Sequence, residues 1–155
     1  MNIGIFVYSQ TGNTLSVAQK LEGTLRSIGH MVAIKNVKAV DDHPSSDASR
    51  KVETPPDISN FDTVIFAAPV QAFSLARPMK VFLAQIASLS GKKVYGFVTQ
   101  GFKKPWLGGN RAIREITAAC KEKGADLLAG GIICWSSAAR ESQINELTKR
   151  FTEIQ

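Results

Sequence analysis

Short apolar segments alternate with amphipathic segments along most of the chain, and this alternation restricts the fold more than any other feature. Four apolar segments predict strands buried on both faces, at residues 3–8, 63–68, 94–99 and 127–134. A fifth segment, residues 31–37, alternates apolar with polar residues and suits the edge of a sheet. Strands that alternate with helices form parallel sheets with right-handed crossovers. The predicted fold class is therefore α/β, a doubly wound three-layer α/β/α sandwich around a five-stranded parallel sheet.

Apolar residues recur at three- and four-residue spacing between the predicted strands, which indicates amphipathic helices. Four helices are predicted, at residues 15–28, about 78–91, 111–123 and 137–151. Pro78 suits a first helical turn, and Gly29 and Gly124 follow helices at the position where glycine is favoured. Residues 38–60 are rich in Asp, Ser and Pro and predict a long loop with at most a short helical turn.

The length of 155 residues, with 44% hydrophobic and 21% charged residues, predicts a single domain over residues 1–155. The longest apolar runs, residues 3–8 and 64–70, are far shorter than the ~20 residues of a membrane span. No Lys or Arg precedes the first apolar run, as it would in a secretory signal. We therefore expect a cytoplasmic protein that does not associate with membranes.

Cysteines and histidines are too few and too dispersed for redox or metal motifs. Cys120 and Cys134 form neither a disulfide framework nor a Cys-x-x-Cys pair. His30 and His43 lack the neighbouring cysteines or carboxylates that a metal site needs. We therefore predict no metal site.

Basic side chains outnumber acidic ones by 19 to 13, and the excess lies in residues 78–155. A basic surface can attract nucleic acid or a smaller anion. Here the charges are scattered along predicted helices beside acidic residues, and no basic run is longer than a pair. This pattern is typical of solvated helix faces and predicts no nucleic-acid partner.

The loop after the first strand is rich in groups that bind anions; it consists of Ser9, Gln10, Thr11, Gly12, Asn13 and Thr14. Ligands of parallel sheets bind beyond the carboxyl ends of strands, and this loop also begins a helix, where backbone N–H groups are free. Without Lys or Arg, the loop suits a phosphate monoester rather than a triphosphate, which needs a lysine and a metal. Helix capping is the alternative, but one such residue would be enough for it.

The run Tyr-Ser-Gln-Thr-Gly-Asn-Thr after an N-terminal hydrophobic strand resembles the FMN phosphate loop of the flavodoxin superfamily. The alternation of elements resembles a short-chain flavodoxin over nearly the whole chain. This resemblance implies the strand order 2-1-3-4-5, with FMN at the point where the order reverses.

Two further loops complete the site that the resemblance implies. In the family, the loop after the third strand forms one wall of the isoalloxazine site; here Phe73 lies either against the flavin or in the core beneath the second helix. The loop after the fourth strand resembles the third FMN loop of flavodoxin-like quinone reductases, and its two aromatics are costly to expose unless they cover something. The predicted cofactor contacts are Ser9, Gln10, Thr11, Gly12, Asn13, Thr14, Pro69, Val70, Gln71, Ala72, Phe73, Thr99, Gln100, Gly101, Phe102, Trp106, Gly108 and Gly109.

The resemblance implies electron transfer through bound FMN and leaves three functions open. The protein is a carrier for a redox partner protein, an NAD(P)H-dependent oxidoreductase that reduces a quinone or similar small acceptor, or an interaction module that has lost FMN. Because the sequence has no Gly-x-Gly-x-x-G, a nicotinamide would bind only transiently over the flavin. Monomer and homodimer both remain open.

One rival motif points to different chemistry. Cys134 and Arg140 match the Cys-x5-Arg spacing of protein tyrosine phosphatases, in which a thiolate attacks phosphorus. However, the residues between them include no glycine, and Glu141 follows the arginine where a hydroxyl is usual. We therefore favour a buried structural role for Cys134 and a helix-capping role for Ser137.

Overall fold

The protein is built around a parallel β-sheet, in a computed structural model that describes residues 1–39, 52–53 and 55–153. Along the chain, the elements are β1 (Asn2–Val7), α1 (Asn13–Ser27), β2 (Met31–Asn36), β3 (Lys38–Ala39), β4 (Val52–Glu53), β5 (Thr63–Gln71), β6 (Ser74–Leu75), α2 (Arg77–Gln85), β7 (Lys93–Gln100), α3 (Gly109–Glu122), β8 (Leu127–Cys134) and α4 (Arg140–Thr152).

The main strands lie in the order β2-β1-β5-β7-β8, and each neighbouring pair is parallel. Numbered without the short strands, this is the order 2-1-3-4-5. Helices α1 and α4 pack on one face of the sheet, and α2 and α3 pack on the other. The predicted doubly wound α/β/α fold is therefore confirmed. Within the described residues, no helix is long and apolar enough to cross a bilayer.

Aromatic side chains fill both layers between sheet and helices. On the α2–α3 face, the ring of Phe6 lies 5.7 Å from that of Phe82 and 6.0 Å from that of Phe66. On the other face, Phe151 of α4 packs 5.3 Å from Tyr95 and 6.5 Å from Phe97. Burial of both faces explains why the central strands are continuously apolar rather than alternating.

Strand β8 does not match its predicted burial on both faces. It is the second edge of the sheet, and Leu128 on it is 55% exposed. An apolar run of eight residues is equally typical of a covered strand and of an edge strand flanked by helices, so the run alone could not distinguish them.

Two helices are shorter than predicted. Helix α2 ends at Gln85, and Ile86 is already extended, with φ of −67° and ψ of 129°. Ile86 and Leu89 are buried, and Leu89 N donates to Lys123 O at 2.8 Å. These residues therefore keep the helical spacing of apolar side chains although the helix has already ended. Helix α4 begins at Arg140 rather than 137, because Ser137 Oγ accepts from Ala139 N at 3.1 Å in a turn before the helix.

The long loop predicted over residues 38–60 is interrupted by strand structure. Strands β3 and β4 pair in antiparallel fashion, with Lys38 opposite Glu53. Residues 40–51 and 54 lie outside the described part of the chain. The prediction of at most a short helical turn in this loop is therefore not tested there.

A tight hairpin follows the third main strand, where only a loop was predicted. Strand β5 continues to Gln71, and the chain turns back as β6 with Val70 paired to Leu75. The two turn residues have positive φ, 49° at Ala72 and 61° at Phe73. Such two-residue hairpin turns usually contain Asn and Gly, because side chains disfavour this left-handed conformation. The Ala-Phe pair therefore carried no turn signal and is strained.

Replacing Ala72 with glycine should relieve part of this strain. The left-handed conformation costs alanine roughly 1–2 kcal/mol, and the extra freedom of an unfolded glycine offsets about half of the gain. We expect A72G to raise the free energy of unfolding by about 0.5–1 kcal/mol in urea titrations. The same substitution at Ala118, an exposed position inside α3, should lower it by about 1 kcal/mol. If both variants are destabilised equally, the turn is not left-handed.

Candidate functional site

Three loops meet at the carboxyl edge of the sheet around a cavity of about 240 Å³. Its lining comes from the loop after β1 and the start of α1, from the ends of β5 and β7, and from the residues that follow β7 and β8. The lining residues are Gln10, Thr11, Asn13, Pro69, Val70, Gln71, Thr99, Gln100, Gly101 and Trp135. Nine of these ten residues were among the predicted contacts. Trp135 was missed, although its place directly after a strand put it at the same edge.

Larger cavities lie elsewhere among the described residues. One of about 460 Å³ lies between residues 55–59 and the end of α2, and one of about 490 Å³ lies beside the edge strand β8. Neither brings loops from several strand ends together, so the smaller cavity is the better candidate.

The first loop presents backbone amides without acceptors. Gly12, with a φ of 93°, precedes α1, and in the described part of the chain the amides of residues 10–14 donate to no acceptor. The Oγ of Ser9 accepts from Leu15 N at 3.2 Å, which leaves its hydroxyl proton available. Thr11 is exposed beside these amides. Together with the positive end of α1, this arrangement suits an anion held by neutral donors.

Polar contacts fix the first loop to its neighbours. The buried hydroxyl of Thr14 lies 2.7 Å from that of Thr99 at the end of β7. Gln71 Nε2 donates to Gln10 Oε1 at 2.8 Å and joins the first loop to the hairpin. Thr14 was predicted as an anion donor; its contact with Thr99 also anchors the first loop to β7.

Gln100 organises the third loop from beneath. Its side chain is almost fully buried, and Nε2 donates to Phe102 O at 2.9 Å and to Lys104 O at 2.6 Å. The opposite atom, Oε1, is buried with no hydrogen-bond partner. An unpaired buried acceptor costs about 1–3 kcal/mol, so a donor from a water or ligand at this atom would be favourable.

The Gly108–Gly109 pair lets the third loop pack closely against the hairpin. A Cβ on Gly108, whose φ is 115°, would lie 2.6 Å from Val70 Cγ1. A Cβ on Gly109 would lie 2.6 Å from Gln100 Oε1. Neither position has room for a side chain, which explains the two glycines.

Two aromatic rings from different loops stack on each other at the surface. The rings of Phe73 and Phe102 are 5.3 Å apart and nearly parallel, at 9°. Their side chains are 52% and 49% exposed, so Phe73 is not the core residue that one alternative predicted. Trp106 is 69% exposed, with Lys104 Nζ 5.6 Å from its ring.

A carboxylate on α3 holds the hairpin in place. Glu115 Oε1 accepts from Ser74 Oγ at 2.7 Å and from Leu75 N at 3.2 Å. Its Oε2 pairs with Lys80 Nζ at 2.8 Å, and Arg111 Nε lies 3.6 Å from Oε1. No motif in the sequence marked Glu115, because its partners are remote along the chain.

The Cys134–Arg140 pair is not arranged as a phosphatase site. Cys134 is fully buried, with Sγ 3.6 Å from Gln100 Nε2. The Arg140 guanidinium donates to Trp135 O at 3.1 Å and lies 4.7 Å from the centre of the Trp135 ring. These contacts favour the structural role that we predicted for Cys134.

Comparison with protein-family models and with curated proteins finds no match. Solved structures do match: oxidised flavodoxin 2 from Bacillus cereus is 19% identical over 99% of both chains, with a TM-score of 0.70. A flavoprotein from Lactobacillus acidophilus in complex with FMN is 16% identical over 94% of this chain and 97% of that chain, with a TM-score of 0.65. The rubredoxin oxygen:oxidoreductase of Desulfovibrio gigas is 19% identical over 97% of this chain and 35% of that chain, with a TM-score of 0.69. The protein has the flavodoxin fold.

In this flavodoxin fold, the contacts of Glu115 also change its acidity. Partial burial alone would raise the pKa of its carboxyl group. Hydrogen bonds from Lys80, Ser74 and Leu75 N, together with the Lys80 charge, outweigh burial and lower that pKa. The ionised carboxylate therefore stabilises the folded protein fully above its unfolded pKa of about 4.5, and this stabilisation is lost as pH falls through the lowered folded value.

We expect E115Q to lower the free energy of unfolding by about 1 kcal/mol near neutral pH. The difference from the parent should shrink as pH falls below about 4.5, because the parent carboxylate becomes protonated as well. Urea titrations between neutral and acidic pH measure this. E122Q, on the same helix but without such contacts in the described residues, is the control. If the stability deficit of E115Q does not change with pH, the ionised Glu115 carboxylate does not hold the hairpin.

Proposed function

We propose that the protein binds FMN at the carboxyl edge of its sheet and acts in electron transfer. The observation that carries the proposal is the set of backbone amides at residues 10–14, which border the cavity without acceptors. Amides at a helix start bind phosphate without a cationic side chain. The flavoprotein from Lactobacillus acidophilus, with its bound FMN, supports the choice of ligand.

The donors and aromatic rings of the site fit the parts of FMN. The amides of residues 10–14 with the hydroxyls of Ser9 and Thr11 would hold the phosphate. Phe73 and Phe102 would hold the isoalloxazine ring between them, and the unpaired Gln100 Oε1 would accept a hydrogen bond near it. The remaining predicted contacts stay predictions for this site.

The described form of the site is narrower than a flavin requires. A flat ring between two phenyl rings needs about 7 Å between the planes of those rings, twice a stacking contact of ~3.5 Å. Phe73 and Phe102 already stack on each other, with 5.3 Å between their centres, so the two exposed loops would part to admit the flavin. The cavity of about 240 Å³ is also smaller than a typical ligand pocket of roughly 300 Å³ or more, which is consistent with the ring lying between the loops.

Bound FMN supplies one-electron, two-electron and hydride chemistry, and the protein orients it and sets its surroundings. The two phenyl rings would exclude water from the flavin faces. The amides and hydroxyls would fix the phosphate end, and the Thr14–Thr99 contact would keep the loop at a constant distance from β7. This division of tasks suits a cofactor that remains bound through repeated redox cycles.

A carrier for redox proteins and a small NAD(P)H-dependent reductase remain the two candidate activities. The exposed aromatic rings favour contact with a protein. The basic residues Lys103 and Lys104 would also suit the phosphates of a nicotinamide cofactor. The cytoplasmic location, the single domain, and the choice between monomer and homodimer remain predictions from the sequence.

The proposal predicts a yellow protein whose affinity for flavin depends on the phosphate group of FMN. Riboflavin, which lacks the phosphate, should bind much more weakly than FMN to the protein freed of cofactor. T11V should weaken FMN binding about tenfold, or about 1.4 kcal/mol, through loss of one charge-assisted donor. The same variant should leave riboflavin binding unchanged in calorimetric titrations.

T24V is the matched control, because Thr24 lies on the same helix and its hydroxyl donates to Lys20 O within that helix. It should bind FMN as the parent does. Equal weakening of FMN and riboflavin by T11V would place the phosphate elsewhere, and no binding of either flavin would leave the protein as an interaction module.

A further inference from the structure

Three exposed aromatic side chains lie on two neighbouring loops of the carboxyl edge. Phe73, Phe102 and Trp106 are the exposed aromatic residues of the described chain, at 52%, 49% and 69% exposure. We call them the aromatic patch. Clustered aromatics at a surface are typical of sites that bind a partner, since isolated exposure of such large rings is unfavourable.

Four of the connecting segments at the edge that carries the patch contain no acidic residue. Residues 8–12, 72–76, 101–108 and 135–139 contain no Asp or Glu. The third loop instead contains Lys103 and Lys104, both exposed. In a doubly wound sheet, each crossover helix also starts at this edge, so the positive ends of the helix dipoles point the same way.

Acidic residues on the helices near this edge are already paired with cations. Glu115 contacts Lys80 and Arg111. Glu141 lies 3.8 Å from Lys20 and 3.8 Å from Arg140. Lys104 lies over the Trp106 ring, and neither lysine of the third loop forms an ion pair within the described residues. The aromatic patch is therefore bordered by two lysines that no carboxylate of the described residues pairs with.

We propose that the aromatic patch and the lysines beside it dock an acidic redox protein. This proposal rests on the proposed function. In the docked complex, the one-electron centre of the partner loses one electron and FMN gains it, and no bond is formed or broken. If the electron instead moves from reduced FMN to the partner, FMN loses one electron and the partner gains it.

The geometry favours a protein over a nicotinamide cofactor. Because Phe73 and Phe102 would cover the two faces of the flavin, a nicotinamide ring would have to displace one of them, whereas a protein could contact their outer faces together with Trp106. The amides at the start of α1, which would otherwise attract the phosphates of a dinucleotide, are assigned to the phosphate of FMN. Positive charge beside an apolar surface speeds association with an acidic partner and orients it.

The test measures electron transfer between the FMN-loaded protein and two probe proteins by stopped flow. An acidic plant-type ferredoxin and the basic cytochrome c serve as probes of opposite charge. With ferredoxin, the second-order rate constant should fall at least tenfold between about 0.01 M and about 1 M salt, because screening removes the attraction. With cytochrome c it should rise or stay constant.

Charge reversal at the patch and at the opposite edge distinguishes the effect of local charge on the rate constant from the effect of net charge. K103E/K104E should lower the low-salt rate constant with ferredoxin at least tenfold and reverse its salt dependence. K121E/K149E makes the same change in net charge at the last turns of α3 and α4 and should alter the rate less than twofold. Equal effects of the two double variants would overturn the proposed docking surface.

Two further measurements keep this proposal distinct from FMN binding. In calorimetric titrations of the protein freed of flavin, W106A should weaken the binding of ferredoxin. This measurement does not depend on whether the protein binds FMN. If FMN binds but ferredoxin transfer is insensitive to salt and to K103E/K104E, the docking proposal is wrong. If the same variant instead slows reduction by NADPH alone, the basic residues serve a nicotinamide cofactor and the proposal is likewise overturned.

Discussion

The parallel direction of the main strands is the constraint from which the site follows. Because β1, β5, β7 and β8 all run the same way, their carboxyl ends meet at one edge. Every crossover helix then begins at that edge with amides that have no acceptor inside the helix. The backbone alone therefore brings hydrogen-bond donors, helix dipoles and loops together at this edge. The side chains of the first loop add hydroxyl groups rather than cations.

The sequence predicted the features that depend on apolar burial and on local loop chemistry. The strands and the two helical layers agree with the structure, and so do the strand order and nine residues of the cavity lining, which the resemblance to flavodoxins implied. Features that depend on contacts remote along the chain were not predictable. Glu115 meets Ser74 only because α3 packs against the hairpin, and helix α2 ends early although its apolar spacing continues. The hairpin itself was hidden, because Ala72 and Phe73 adopt a conformation for which neither residue has a preference.

The hairpin shows how a strained element is held at a candidate cofactor site. Its turn places two side-chain-bearing residues in the left-handed region, each of which costs roughly 1–3 kcal/mol. The Glu115 contacts and the close approach of Gly108 hold the hairpin from two sides. In return, the turn points Phe73 outward so that its ring meets Phe102 from the neighbouring loop. A relaxed turn with Asn and Gly would leave no aromatic ring there.

The charge of this edge links cofactor retention to partner choice. A phosphate held only by neutral donors keeps its own negative charge, so a positive surrounding surface is favourable for it. Residues 8–12, 72–76, 101–108 and 135–139 contain no Asp or Glu, and Lys103 and Lys104 add positive charge there without a cation in the first loop. The same field extends about 8 Å into the solvent at physiological salt before it is largely screened. Under the docking proposal, an acidic partner would be attracted to this edge and a basic partner repelled from it. The neutral donors that would hold FMN and the lysines that would attract such a partner thus lie at the same edge of the sheet.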